Sequence, residues 1–197
     1  MKKPILLLLL LFAVFKNVKA QELVSSEQFQ KLIGYLNDEN WKDAADLSET
    51  YLKAIPGDKI DWDAAAIVRY MYLTSESGLM NSGGITQQEA LKKVSRFAGH
   101  TIIFPWRSVT VAFGMNKIMP HNDKADTLMV TATNRKATSI FAFEYIVPVP
   151  GISLDDLKSF AGKSCRVNGT LKSVSVEGHI LPRYRLLIDK ASLKFGE

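Results

Sequence analysis

The chain has 197 residues, of which 47% are hydrophobic and 23% charged, and its formal net charge is +5. That length can bury a sizeable core in one moderate domain or two small ones. Its single cysteine, Cys165, excludes an internal disulfide framework, so hydrophobic packing must hold the fold.

The charge is unevenly placed. Residues 1–20 carry four lysines and no acid, residues 21–98 carry 8 basic and 12 acidic residues (net −4), and residues 99–197 carry 13 basic and 8 acidic residues (net +5). Beyond residue 20 the chain is therefore near neutral. This argues against a nucleic-acid partner for the whole chain.

The N-terminus begins with Lys2 and Lys3, continues through an unbroken apolar run from Ile5 to Phe15, and passes a short polar stretch to Val18 and Ala20. This is the pattern of a secretory signal peptide, with cleavage expected between Ala20 and Gln21. The run is too short for a transmembrane helix, which needs about 20 apolar residues. No later run approaches that length, so no membrane span is expected in the mature chain. The expected destination is the periplasm or the exterior, by bacterial-type export.

Residues 25–98 read as four helical segments. Phe29, Leu32, Ile33 and Leu36 recur at helical spacing behind a Ser25/Gln28 capping box. Asn40 is an N-cap candidate for a second helix carrying Trp41, Ala44, Leu47, Tyr51 and Ile55, which Pro56-Gly57-Asp58 stops. A third is expected over 61–77, with Trp62, Ala65, Ala66, Tyr70 and Leu73 facing inward and Gly78 closing it. Thr86 and Glu89 form a second capping box, opening a helix that buries Leu91, Val94 and Ala98 and ends at Gly99. Trp41 and Trp62 are expected as core anchors.

Residues 32–56 resemble one tetratricopeptide repeat. Trp41, Ala44 and Pro56 fall at that family's aromatic, alanine and terminal-proline offsets, and Trp62 falls near the aromatic position of a following repeat. The Gly83-Gly84 loop interrupts the second pair. The resemblance implies a packing or docking face rather than chemistry.

From His100 onward the composition turns β-like. A first strand region is expected over 101–104 and again over 109–115, with further strands over 127–133, with Leu128, Val130 and Ala132 on one face, and over 138–147. A short helix follows with Ser153 and Asp156 capping it and Gly162 ending it, then strands over 163–176 and 183–195. Gly169 inside the fourth strand predicts a bulge or bend. The resulting order, β-β-β-α-β-β, and the segment Phe160-Ala161-Gly162-Lys163 through Val167-Asn168-Gly169-Thr170-Leu171 resemble the OB-fold of the tRNA-anticodon-binding group. The expected fold class is thus α+β, with domains at 21–98 (tetratricopeptide-like αα-hairpins) and 99–197 (a five-stranded OB-like barrel with a helix between strands 3 and 4).

The OB-fold likeness implies a ligand face built from basic and aromatic side chains. The candidate ligand-binding residues are Arg166, Lys172, Arg183 and Arg185, with Lys190 and the rings of Phe141, Phe143, Tyr145 and Tyr184 beside them. The competing reading is a solvated outer strand face for the cations and barrel filling for the rings. Cys165 is read as a core residue.

His100, His121 and His179 lie at no metal-ligand spacing, and nucleophile-elbow and phosphate-loop motifs are missing from the sequence. Asp61 with Asp63 and Asp155 with Asp156 sit at helix starts, where carboxylates suit the macrodipole. Asn168-Gly169-Thr170 matches a glycosylation pattern but falls in an expected strand. No catalytic residue, metal or cofactor is assigned. The expected role is an exported non-enzymatic binding or adaptor protein with a protein partner. Oligosaccharide or single-strand binding by the barrel, and an uncharacterised periplasmic enzyme, are the alternatives.

Overall fold

The structure is a computed structural model that describes residues 24–121, 127–132, 143–148, 152–178 and 182–196. The expected export signal with Ala20 and Gln21, the rings of Phe141, Phe143 and Tyr145, and His179 lie outside what is described.

The chain is mixed α+β, helices first and sheet second. Helix α1 spans Ser26–Asn37 and α2 Trp41–Ala54, followed by a 3-10 turn Gly57–Lys59; α3 spans Asp63–Asn81 and α4 Gln87–Ser95. Both expected capping boxes form, Ser25 with Gln28 and Thr86 with Glu89, and Asn40 caps α2 through the Asp43 backbone N–H. Each satisfies N–H groups that have no partner within the helix.

Three helical expectations need correction. Gly78 does not end α3, which continues to Asn81. The glycine is there for closeness: a Cβ at Gly78 would meet Trp41 Cε2 and Cε3 at 2.6 Å, so the indole of α2 lies directly on the α3 backbone. Trp62 is not a core anchor; it precedes α3, is 39% exposed, and carries the Lys59 ammonium 4.7 Å from its ring centroid. Ala98 is exposed, and Phe97 and Ala90 occupy the core beside Val94.

Seven strands form one sheet: β1 Thr101–Ile103, β2 Arg107–Val109, β3 Lys117–Pro120, β4 Thr127–Ala132, β5 Phe143–Pro148, β6 Ser164–Glu177 and β7 Arg183–Phe195, with helix α5 at Leu154–Ser159 before β6. Five strands were expected. The two extra strands come from a split of the first strand region, where Pro105 and Trp106 separate β1 from β2, and from β3 at Lys117–Pro120, which was not expected. The expected 109–115 strand ends after Val109, in a loop that closes on Asn116 at φ 56° before β3 begins. Helix α5 has its capping box, Ser153 with Asp156, and Gly162 follows at φ 82°.

Strand β6 is the spine of the sheet. It pairs antiparallel with β1 and β2 through its first half and with β7 along its length. β2 runs parallel to β3, β3–β4 and β4–β5 are antiparallel, and β5 runs parallel to β7. At Gly169 the β6–β7 register shifts, and a Cβ there would meet Ile188 Cγ2 at 2.5 Å and the Asp189 carbonyl oxygen at 2.9 Å. The predicted bulge is therefore a close approach of two backbones.

Helices and sheet share one core. Leu32, Ala44, Val68 and Leu73 belong to the same buried cluster as Ile102, Val167, Leu171 and Leu186. The junction is bonded: the Gly99 N–H donates to the Leu171 carbonyl and the Leu171 N–H to the His100 carbonyl. Inward Cys165, Val167 and Leu171 alternate with outward residues along β6, as the period-2 pattern requires. Cys165 is fully buried, and burial pushes its thiol up to about 11, as befits a core residue.

Candidate functional site

A groove of about 490 Å³ opens between the helices and the first strands. One wall is set by helical spacing. Phe29, Ile33 and Leu36 of α1 and Ile67, Tyr70, Met71 and Thr74 of α3 recur at three and four residues, so each set lies on one helix face. The other wall is the chain from Ile103 to Arg107, with Ala132 and Arg166 beside it.

The β1–β2 connection is stiff. The Phe104 N–H donates to the Val167 carbonyl at 2.9 Å, and the Phe104 ring meets the Tyr70 ring edge-on at 5.6 Å. These contacts fix Pro105 and Trp106 over the sheet edge. Trp106 is 41% exposed, and the Arg166 guanidinium lies 5.2 Å from its ring centroid. Arg107 donates to the Trp106 carbonyl. The groove lining is thus mostly apolar, with an indole and two guanidiniums on the strand-side wall. Phe29, Ile33, Leu36 and Ile67 are only half-buried, which leaves apolar wall for an occupant to cover.

The four cations named from the sequence are not gathered. Arg166 lies opposite Lys194 at the β2 end of the β6–β7 pair, whereas Arg183 lies opposite Glu177 at the far end. Eleven residues of β7 separate those positions, about 35 Å of strand. Arg185 forms an ion pair with Glu177 at 3.0 Å, and Lys172 is exposed between the two ends. Tyr184, a stacking candidate, is fully buried, and desolvation pushes its hydroxyl well above the ordinary range. Only Arg166 belongs to the groove. Ile67, Tyr70 and Trp106 were missed as site residues because an apolar helix face reads as core until its partner is seen. The exposed aromatic beside Pro105 was the one available signal.

A second cluster, on the helical side, is polar. Arg69 is fully buried on α3 and donates to the Thr101 carbonyl at 2.7 Å and to the Ile60 carbonyl, with Asp61 at 3.6 Å. Burial lowers its pKa and Asp61 opposes that shift. Glu76, equally buried, accepts two hydrogen bonds from Lys93 at 3.0 and 3.1 Å. Glu49 pairs with Arg96 and Lys53, and the Arg96 bond holds its carboxyl down at about 2. Arg96 also lies over the rings of Tyr72 and Phe97. These groups bond one another and backbone carbonyls, a closed arrangement that clamps α2, α3, α4 and β1 together. Among the described residues no His, Cys, Asp and Glu group could hold a metal ion, and no helix is long and apolar enough to cross a membrane.

No family model, curated protein or solved structure matches this chain.

Proposed function

We propose that this is an exported, non-enzymatic binding or adaptor protein whose groove receives an apolar segment of a partner protein ending in a carboxylate. The observation that carries the reading is the groove itself. Its lining is mostly hydrocarbon, and its charged members, Arg107 and Arg166, are both cationic, with Arg166 stacked on a half-exposed tryptophan. Apolar length gives affinity, and a fixed guanidinium gives polarity of binding through charge-assisted bonds. In this reading α1 and α2 form a tetratricopeptide-like hairpin, supported by the fully buried Ala44 of α2 and by Pro56 after it. The sheet is an OB-like barrel, supported by the parallel β5–β7 pair and by β6 pairing with both β2 and β7. Export rests on the leader pattern in residues 1–20.

The test uses fluorescent leucine- and phenylalanine-rich octapeptides, each made with a free C-terminal carboxylate and as the amide. The carboxylate form should bind about tenfold more tightly, a difference of about 1.4 kcal/mol. That preference should vanish in Arg166→Gln, and binding should be lost in Ile67→Glu. Equal affinity for both forms, or turnover in an activity screen with no retained peptide or envelope protein, would defeat the reading.

A second reading, oligosaccharide or single-strand binding by the barrel, draws support from the exposed Trp106 ring. It predicts salt-sensitive binding that depends on Trp106 and Arg166 and is indifferent to Arg183 and Arg185. A weakened Arg183→Ser/Arg185→Ser double variant would instead move the site to the far end of β7.

A further inference from the structure

Five large apolar side chains are exposed among the described residues, and four of them, Trp106, Val111, Phe113 and Met115, fall within ten consecutive positions. Phe113 is 77% exposed, on the β2–β3 loop of residues 110–116. That clustering is not the scatter expected of an ordinary surface.

The loop is held in this exposed shape. Thr110 donates its N–H to the Ile118 carbonyl at 2.8 Å, and the Ala112 N–H returns to Thr110 Oγ1 at 3.2 Å. The Thr131 hydroxyl of β4 donates to the Gly114 carbonyl at 2.9 Å. The base is tied at both strands, and the apolar tip stands clear.

The surroundings are cationic. Residues 104–121 contain no Asp or Glu, and neither do residues 159–176, which include the start of β6. Register sets cations of three strands at this end on alternate faces: Arg107 lies opposite Cys165, and Arg166 lies opposite Lys194. Lys163 is tied in by its carbonyl, which accepts from the Val109 N–H. Lys117 stands at the other foot of the loop and donates to Ser108. Of the acids just ahead of β6, Asp155 is engaged with Lys158 and Asp156 with the Ser153 cap.

We propose that this loop seats the protein on an anionic lipid surface. Val111, Phe113 and Met115 enter the boundary between headgroups and acyl chains, Trp106 lies at headgroup depth, and Arg107, Lys117, Lys163 and Arg166 face the phosphates. An uncharged apolar tip inside a collar of cations has the polarity of an anionic bilayer surface: hydrocarbon within, negative charge at its rim. A second copy of the chain fits less well. The collar would repel its own image, and a tip of seven residues falls far short of the roughly 800 Å² per partner that a stable interface buries. This surface shares Trp106, Arg107 and Arg166 with the groove, but its apolar tip, Val111, Phe113 and Met115, lies outside the groove lining.

The test places an environment-sensitive dye on Met115→Cys, which leaves Phe113 in place; Cys165 is fully buried and its thiol is not available to label. Adding vesicles of equal parts phosphatidylglycerol and phosphatidylcholine should shift the dye emission to the blue and expose it to lipid-borne nitroxide quenchers. Phosphatidylcholine alone should do so far less, and high salt should reverse much of the effect. Phe113→Ser in unlabelled protein, with an unchanged circular dichroism spectrum, should weaken vesicle sedimentation at least about tenfold. An unshifted dye on every vesicle overturns the proposal, as does sedimentation unaffected by Phe113→Ser. Equal response to neutral vesicles overturns the assignment to an anionic surface. A shift produced by a protein partner and not by lipid makes the loop a protein-docking site instead.

Discussion

The clamp around α3 and the open edge around Trp106 treat polarity in opposite ways. In the clamp, charges are buried: Arg69 and Glu76 sit inside the helical layer with partners in bonding contact. At the edge, apolar rings face outward while Arg107 and Arg166 gather without a described carboxylate in an ion pair with either. Burying a charge costs stability unless its partners are well placed, and exposing a phenylalanine forgoes the gain of burying it. Each region therefore departs from the simplest folding solution. Partners inside the molecule repay the departure at the clamp. At the edge nothing described inside the molecule does so, which is the physical reason to look for an external partner there and not at the clamp.

The comparison breaks first where the clamp is tightest. Gly78→Val would push a branched side chain into the Trp41 indole, which lies on the α3 backbone. A loss of about 3 kcal/mol or more is expected from urea unfolding, beyond the usual cost of overpacking because backbone meets ring. A loss below about 1 kcal/mol would mean that α2 moves freely on α3. Next comes Lys93→Met, which leaves the buried Glu76 carboxylate without its ammonium. Lys93 is partly exposed and water can enter behind it, so about 2 kcal/mol is expected, less than for a fully enclosed pair. Adding Glu76→Gln to that variant should recover more than half of the loss; no recovery would show that packing of the lysine stem, not charge, is what matters.

These two sites also mark what the sequence reveals and what it withholds. Capping is local, so Ser25, Asn40, Thr86 and Ser153 could be read as helix starts from neighbours three residues away, and all four serve as caps. Gly169 was readable for the same reason, since glycine within a β run leaves few alternatives. Gly78 misled because its signal, a glycine after a helical run, is the same whether it ends a helix or admits a ring from 37 residues away. Trp62 misled likewise: helical spacing gives a face but not whether anything covers it. The groove was least legible of all. Its walls come from α1, α3, the β1–β2 connection and β6, and only Arg166 among the four cations named from the sequence reaches it. Arg183 and Arg185 looked equivalent to Arg166 in a strand-by-strand reading. The antiparallel β6–β7 register, with its shift at Gly169, carried them to the opposite end.

A smaller effect separates the surface of the clamp from its interior. Glu49 titrates at about 2 against an ordinary 4.5, chiefly through its bond with Arg96. A carboxyl lowered in the folded state adds stability that is full above about pH 4.5 and is lost as pH falls toward 2. Because Arg96 is nearly half exposed, solvent screening reduces this to about 1 kcal/mol. Arg96→Gln should therefore lower stability by that amount at pH 7 and converge with the parent protein as pH approaches 2. A gap that persists at low pH would assign the loss to Arg96 stacking on Tyr72 and Phe97 instead.

The smallest expected effect is the most discriminating for function. Lys172 projects from the outer face of β6, and exposed side chains of this kind change stability by no more than about 0.5 kcal/mol when truncated. Lys172→Ala should leave unfolding, peptide binding and vesicle sedimentation unchanged, because the residue belongs neither to the clamp nor to the cationic edge. Trp106→Ala is its counterpart: its ring is more than half buried, so stability should fall by about 1–2 kcal/mol, and peptide binding should be lost because the ring carries the Arg166 stack. If Lys172→Ala weakens binding as much as Trp106→Ala does, the outer strand face is the ligand surface. The contrast between a sealed helical layer and one functional edge would then have to give way to a ligand path along the whole of β6.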